Sequence, residues 1–261
     1  MEYAIVAVPA AAVRRKPDHR QEMVNQLLFG ESVQVLKSKK NGWSKIRSLH
    51  DNYDGWVTNS LLQPADKVTA TTPAGFVSAG LLSNISFDQK QLTIPIGSSL
   101  PLFTAQPGGL SGNGTIGSSS YHFSGPFIER NKQPADDLLL QELCKPWMNV
   151  PYLWGGRTPL GIDCSGFVQL IFKLMGIDLH RDAWQQAAEG RAVKKLANSQ
   201  PGDLVFFSRK KTISHVGILL GENRIIHCSG RVKTDLVDKK GIADPLVRER
   251  TSALHSIRRI W

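Results

Sequence analysis

The first sixty or so residues alternate weakly between apolar and polar positions, in short runs cut by turn residues. Ser32 to Leu36 alternates, Lys40, Asn41 and Gly42 signal a turn, Trp43 to Ile46 alternates, Asp51 to Asp54 turns again, and Gly55, Trp56 and Val57 close the series. A period of two between clusters of Gly, Asn and Asp predicts short antiparallel strands, the texture of a small barrel. Trp43 and Trp56 are expected to fill its core rather than stack on a ligand. From Gln63 to about Arg130 the chain is poor in charge and rich in Gly, Ser, Thr and Pro, and the run from Thr104 to Gly125 holds few large apolar residues. A linker would have this composition. Yet Leu92, Ile94 and Ile96, then Leu100, Leu102 and Phe103, then Tyr121, Phe123 and Phe127 alternate around turn signals and predict a second small β-domain.

The period changes in the third segment, which starts near Gln133. A helical pattern over Ala135 to Cys144 leads into a Pro- and Gly-rich loop through Gly161, and a second, apolar helix runs from Gly166 to Met175 and stops at Gly176. After Pro201-Gly202-Asp203 come strand-like runs at Leu204 to Phe207 and His215 to Leu220, a turn at Gly221 to Asn223, and a third run at Arg224 to Cys228. Helices first and strands afterwards predict an α+β segment. The expected domains are 1–63, 64–130 and 131–261.

Composition supports folded cores throughout, with 41% hydrophobic and 21% charged residues. No run reaches the roughly 18 apolar residues of a membrane helix, so membrane insertion is not expected. Ala4 to Val13 is interrupted by Pro9, and as a leader its charges stand in the wrong order, Glu2 before it and Arg14, Arg15 and Lys16 after it. Three cysteines cannot staple the fold and leave at least one thiol free. The expected compartment is reducing and cytoplasmic, or periplasmic if a leader had been trimmed.

The densest chemical signal is Gly161-Ile162-Asp163-Cys164-Ser165-Gly166 ahead of the apolar helix. It places Cys164 at a helix N-terminus, where unpaired N–H groups and the positive dipole end favour a thiolate. Alone, such a cysteine is more often merely buried. His215 in Ser214-His215-Val216-Gly217 and His227 in Ile226-His227-Cys228-Ser229 shift the balance. A tight hairpin between them sets two imidazoles side by side at facing strand positions, one to serve the thiol as base and the other to orient it. Cys144 and Cys228 are read as packing residues. No Cys-x-x-Cys, His-Glu-x-x-His, P-loop or Gly-x-Ser-x-Gly pattern occurs, so no metal and no cofactor are expected.

Two resemblances follow from these motifs. Gly30-Glu31-x-Val33-x-Val35, Gly42-Trp43-x-Lys45-Ile46 and Tyr53-x-Gly55-Trp56-Val57 resemble a bacterial SH3-type domain. Tyr152-Leu153-Trp154-Gly155-Gly156, Asp163-Cys164-Ser165-Gly166-Phe167, Pro201-Gly202-Asp203-Leu204-Val205-Phe206-Phe207 and Ser214-His215-Val216-Gly217-Ile218 resemble the NlpC/p60 cysteine peptidases. The second resemblance implies a papain-like α+β catalytic domain behind one or two SH3-type barrels, with Cys164 as nucleophile, His215 as base and His227 orienting it. Together the two point toward γ-D-glutamyl-L-diamino acid endopeptidases acting on small murein peptides with a free N-terminal L-Ala, in cell-wall peptide recycling. The resemblance assigns substrate contacts to Tyr152, Asp163, Ser165 and Asp182, and, from the barrel, to Tyr53 with Glu22 or Glu31. A carboxylate such as Asp163 or Asp182 would suit a substrate ammonium leaving water. Ala183 departs from the Ser that often follows this Asp in the subgroup, which removes one substrate hydrogen bond. The alternatives are a murein-binding module that does not cut, and a hydrolase of another bond in intact wall.

Charge changes the picture last. A net +10 invites a nucleic-acid partner. Divided at residues 63 and 130 it becomes +3, 0 and +7, so the excess sits on the segment with the cysteine and histidines. The expected partner is an anionic murein peptide, with no nucleic acid and a monomeric chain.

Overall fold

The structure is a computed structural model that describes residues 2–130, 132, 135–243 and 252–261. The chain divides into two compact units, Met1–Gln133 with Trp154–Pro159, and Pro134–Leu153 with Leu160–Trp261. The expected boundary at residue 131 adjoins residues 131, 133 and 134, which lie outside the described residues.

In the first unit, β1 (Tyr3–Val6), β2 (Ala10–Arg14), β3 (Met23–Leu28), β4 (Ser32–Ser38), β5 (Trp43–Ser48), β6 (Asp54–Thr58) and β7 (Leu62–Ala65) form one sheet. The order is β3-β2-β6-β5-β4-β1-β7 and the pairings are antiparallel. Alternate residues point inward, so Ala4, Val6, Ala11, Val13, Val33, Ile46 and Val57 make one core. Gly55 belongs to that inner row because a Cβ there would lie 2.2 Å from Val13 Cγ1. Trp43 is buried, as expected, whereas Trp56 is partly exposed and carries the Lys39 ammonium 5.0 Å from its ring centroid.

A short helix, α1 (Lys67–Thr71), is capped by Asp66 and leads to β8 (Phe76–Ser78), β9 (Leu82–Phe87), β10 (Lys90–Pro95), β11 (Ser99–Leu100), β12 (Thr104–Ala105), β13 (Ser111–Ile116), β14 (Ser119–Ser124) and β15 (Phe127–Glu129). They form a five-stranded sheet, β10-β9-β14-β13-β12, and a three-stranded one, β11-β8-β15. Their core of Ile85, Phe87, Ile94, Leu100, Phe103, Ile116, Tyr121 and Phe123 also takes in Ile5 and Phe29 from the first sheet. The run after Thr104 reads weakly in sequence because its inward positions are glycines. A Cβ on Gly112 would lie 2.3 Å from the Phe103 ring, and one on Gly114 2.3 Å from the Tyr121 hydroxyl.

Residues 154–159, with β16 (Arg157–Thr158), read in sequence as part of the loop before the second helix, yet they belong to the first unit. The reason is a buried ion pair. The Arg157 guanidinium donates to Glu31 at 2.8 and 2.9 Å and to the Gln26 carbonyl at 2.9 Å.

The second unit opens with α2 (Asp137–Cys144), begun by the Asp136 side chain accepting from Leu139 N–H at 2.8 Å. Then follow β17 (Gly161–Ile162), α3 (Cys164–Leu174), α4 (Ala183–Gln186), β18 (Arg191–Ala192), β19 (Leu204–Arg209), β20 (Thr212–Gly221), β21 (Arg224–Ser229), β22 (Arg231–Asp238), β23 (Gly241–Ala243) and β24 (Ala253–Arg259). The sheet order is β18-β24-β19-β20-β21-β22-β23. Val205, Phe207, Leu219, Ile225, Val237 and Ile257 make one core cluster. Leu204, Phe206, Val216, Ile218 and Ile226 alternate with them and are equally buried, so both faces of the sheet are covered. Helix α3, packed against β20 and β21, is buried along its whole length, which explains its nearly continuous apolar sequence. Among the described residues no helix is long and apolar enough to cross a membrane.

Candidate active site

Cys164 is the first residue of α3. Asp163 caps the helix, its Oδ1 accepting from Gly166 N–H at 2.7 Å, and this cap fixes the direction in which the free N–H groups of the first turn point. The sulphur meets the backbone N–H of Val216, the residue after His215, and of Ser165, both of which favour a thiolate. Burial works against them and is larger. With the neighbouring Asp163 charge, it pushes the Cys164 thiol up to about 12. Burial also pulls His215 down to about 3, helped by His227 and Lys233. Burial thus disfavours the charged form of both the thiol and the imidazole.

His215 Nε2 and His227 Nδ1 stand 2.6 Å apart. The two residues share a face of the sheet but are not opposed, contrary to the expected facing positions. An irregularity between Leu219 and Gly221 sets the register at Ile218↔Ile226, which brings Gly217, not His215, against His227. His227 crosses diagonally to His215 over the missing side chain. His215 also lies inside β20 rather than at its start, with its ring 5.9 Å from that of Phe207. Glu222 and Asn223, both at positive φ (49° and 59°), form the two-residue turn that joins β20 to β21.

The expected substrate contacts fall in different places. In the second unit Tyr152 bridges to Ile162, two residues before Cys164. Burial raises its phenol, and the Cys164 charge adds to this. Asp163 is already compensated. Arg181, 1% exposed, donates to its two oxygens at 3.0 and 2.6 Å, and to Ser165 Oγ at 2.9 Å. The carboxylate offered from sequence as an ammonium partner thus has an internal cation, and Ser165 is buried in the same cluster. Asp182 is partly exposed and begins α4, forming a capping box with Gln185 and accepting from Trp184 Nε1 at 3.3 Å. Tyr53 and Glu22 belong to the first unit. Tyr53 N–H donates to Asp51 Oδ1 at 3.2 Å, and Glu22 pairs with Arg15 at 2.8 Å and accepts from Trp154 Nε1 at 2.9 Å. Glu31, the alternative to Glu22, is buried against Arg157, an internal role.

Cys144 and Cys228 are buried, and Cys228 Sγ donates to Ile162 O at 3.2 Å. Four residues escaped the sequence reading. Arg181 holds Asp163, and Gln186 Nε2 donates to Ser165 O at 3.1 Å and His180 O at 2.9 Å, tying α4 to the start of α3. Gly217 makes room for His227. Asp235 Oδ2 lies 3.0 Å from His227 Nε2 and 2.8 Å from Lys233 Nζ. Counting outward from the tight turn at Gly230 would have placed Lys233 opposite His227 and Asp235 on the same face, two residues on.

Comparison with known proteins adds an independent view. Residues 149–251 match the model of the NlpC/P60 family, and residues 13–62 match that of the bacterial dipeptidyl-peptidase SH3 domain. The dipeptidyl-peptidase 6 of Lysinibacillus sphaericus is 27% identical over 255 residues, covering 87% of each chain. A gamma-D-glutamyl-L-lysine dipeptidyl-peptidase of Bacillus cereus is 31% identical over 228 residues, 79% of this chain and 67% of the other. A solved NlpC/P60 family protein from Bacillus cereus superposes with a TM-score of 0.83 at 22% identity, over 98% of this chain and 99% of that one. That likeness speaks for the fold.

Proposed function

The chain belongs to the NlpC/P60 family of cysteine peptidases, and on that premise we propose that it hydrolyses the amide between γ-D-Glu and the following diamino acid in released murein peptides with a free N-terminal L-Ala. The observation that carries this reading is Cys164 at the first turn of α3 with its sulphur at the backbone N–H of Val216, the residue after His215, and His215 hydrogen-bonded to His227. The name of the Bacillus cereus relative, a gamma-D-glutamyl-L-lysine dipeptidyl-peptidase, supports the choice of bond, and both relatives are named dipeptidyl-peptidases.

The steps follow from the groups present. The Cys164 proton passes to His215 as sulphur attacks the γ-carbonyl carbon. The developing oxyanion is met by the Cys164 N–H, unpaired at the helix start. His215 returns its proton to the leaving amine, the C–N bond breaks, and water, deprotonated by the same imidazole, opens the thioester. Three free cysteines suit a reducing compartment, which supports recycling of peptides in the cytoplasm over trimming of intact wall.

The test is incubation with murein tripeptides bearing a free or an acetylated N-terminus, followed by mass analysis. Release of L-Ala-γ-D-Glu from the free form alone is expected. Equal cleavage of both forms would remove the dipeptidyl-peptidase preference, and cleavage at another bond would overturn the assignment.

A further inference from the structure

We propose that Asp235 is a positioning residue of the hydrolase, fixing the proton on His227 Nε2 and, through it, the tautomer of His215. The inference rests on the cysteine-peptidase reading above.

The β21–β22 pairing sets His227 against Lys233 and Ile225 against Asp235, so Asp235 reaches His227 diagonally along one face. The contact is 3.0 Å, between a wholly buried imidazole and a carboxylate whose side chain is 11% exposed. A carboxylate can only accept, so His227 Nε2 carries hydrogen. Neutral His227 then presents a lone pair at Nδ1, and His215 Nε2, 2.6 Å away, must donate to it. One nitrogen is left over. His215 Nδ1 bears the lone pair, and it alone is available for the Cys164 proton. Without Asp235 the other tautomer of His227, with hydrogen on Nδ1, becomes accessible. His215 would then turn its lone pair toward His227 and its hydrogen toward the thiol, a form that cannot act as base. The orienter is itself oriented, as metal-bound histidines are by their outer hydrogen-bond partners.

The groups facing the two imidazoles set the direction of any pH effect. Lys233 and Asp235 come from β22, and from α3 the Cys164 sulphur reaches the backbone N–H of Val216, the residue after His215. Asp235 opposes the effects of burial and of Lys233 on both histidines, so its removal makes each imidazole less basic.

The test uses the full chain with Asp235→Asn and Asp235→Glu. It measures kcat and KM on a murein tripeptide and, without substrate, the pH dependence of Cys164 alkylation by iodoacetamide. For Asp235→Asn, kcat is expected to fall about 10- to 100-fold with KM nearly unchanged. Alkylation at neutral pH should slow, and the acid limb of kcat/KM should move to lower pH. Asp235→Glu should recover part of the loss. Wild-type kcat and an unaltered alkylation profile in Asp235→Asn would overturn the proposal. So would a loss of kcat with both pH profiles unmoved, which assigns Asp235 to strand packing alone. If the wild-type protein cut no murein peptide, the hydrolase reading would fail, and the alkylation profile would still decide the role of Asp235.

Discussion

Gly217 and His227 meet so closely across β20 and β21 that a Cβ at position 217 would lie 3.0 Å from that of His227 and 3.1 Å from Ile226 O. The strand tolerates glycine here at some cost in backbone entropy, and the space it leaves lets His227 lean to within 2.6 Å of His215. Gly217→Val should therefore displace the imidazole without unfolding the sheet. The expected result is a loss of kcat of about 10-fold or more, as for other misplacements near an ångström, while the thermal midpoint falls by only a few degrees.

A second prediction concerns Arg181. Its guanidinium is the buried counter-charge to Asp163, with contacts of 3.0 and 2.6 Å. Arg181→Met leaves that carboxylate buried beside Cys164, and removing one partner of a buried pair costs about 3–5 kcal/mol. Urea denaturation should show a loss of that order, and adding Asp163→Asn to the same chain should restore part of it. Additive losses in the double variant would mean that the pair is not coupled.

The fold and the cysteine of the candidate site were legible where local signals sufficed. Cys164 declares itself by the Asp-Cys-Ser-Gly that starts an apolar helix, and the two histidines by their strand contexts, since helix starts and alternating strands are written in nearest neighbours. Asp235 and Arg181 were not legible in that way. Their partners are set by sheet register and by a long connection, and a lone Asp in β22 or Arg before α4 looks like a solvated charge until those pairings are known. The same holds for residues 154–159. Proximity in sequence groups them with α3, whereas burial of Arg157 against Glu31 groups them with the first unit. The electrostatics of a helix start can be read locally at Cys164, whereas the burial that opposes them cannot.

Acid sensitivity follows from His215. Its folded-state value is drawn down to about 3 by burial, from 6.5 when unfolded. Below the unfolded value the unfolded chain binds the proton more readily, so this group's contribution is full above about pH 6.5 and is lost as pH falls toward 3. His227 shifts in the same direction. Urea midpoints measured from pH 7 to pH 4 should fall less steeply for His215→Gln than for the wild type. Equal slopes would show that the imidazole is not held neutral.

The +7 carried by residues 131–261 should act on encounter rather than chemistry. Between about 0.01 M and 1 M salt the screening length contracts from about 30 Å to about 3 Å. KM for an anionic murein peptide should rise severalfold over that range while kcat stays nearly constant. A KM indifferent to salt would show that the basic surface does not gather substrate.

The central claim is that the Cys164 sulphur cuts the γ-D-Glu amide, and it is tested most directly by comparing wild type with Cys164→Ala on the tripeptide L-Ala-γ-D-Glu-diamino acid. Mass analysis should find L-Ala-γ-D-Glu released by the wild type and none by the variant, which keeps the wild-type circular dichroism and melting curve. Release of that dipeptide by Cys164→Ala at anything near the wild-type rate would contradict the account.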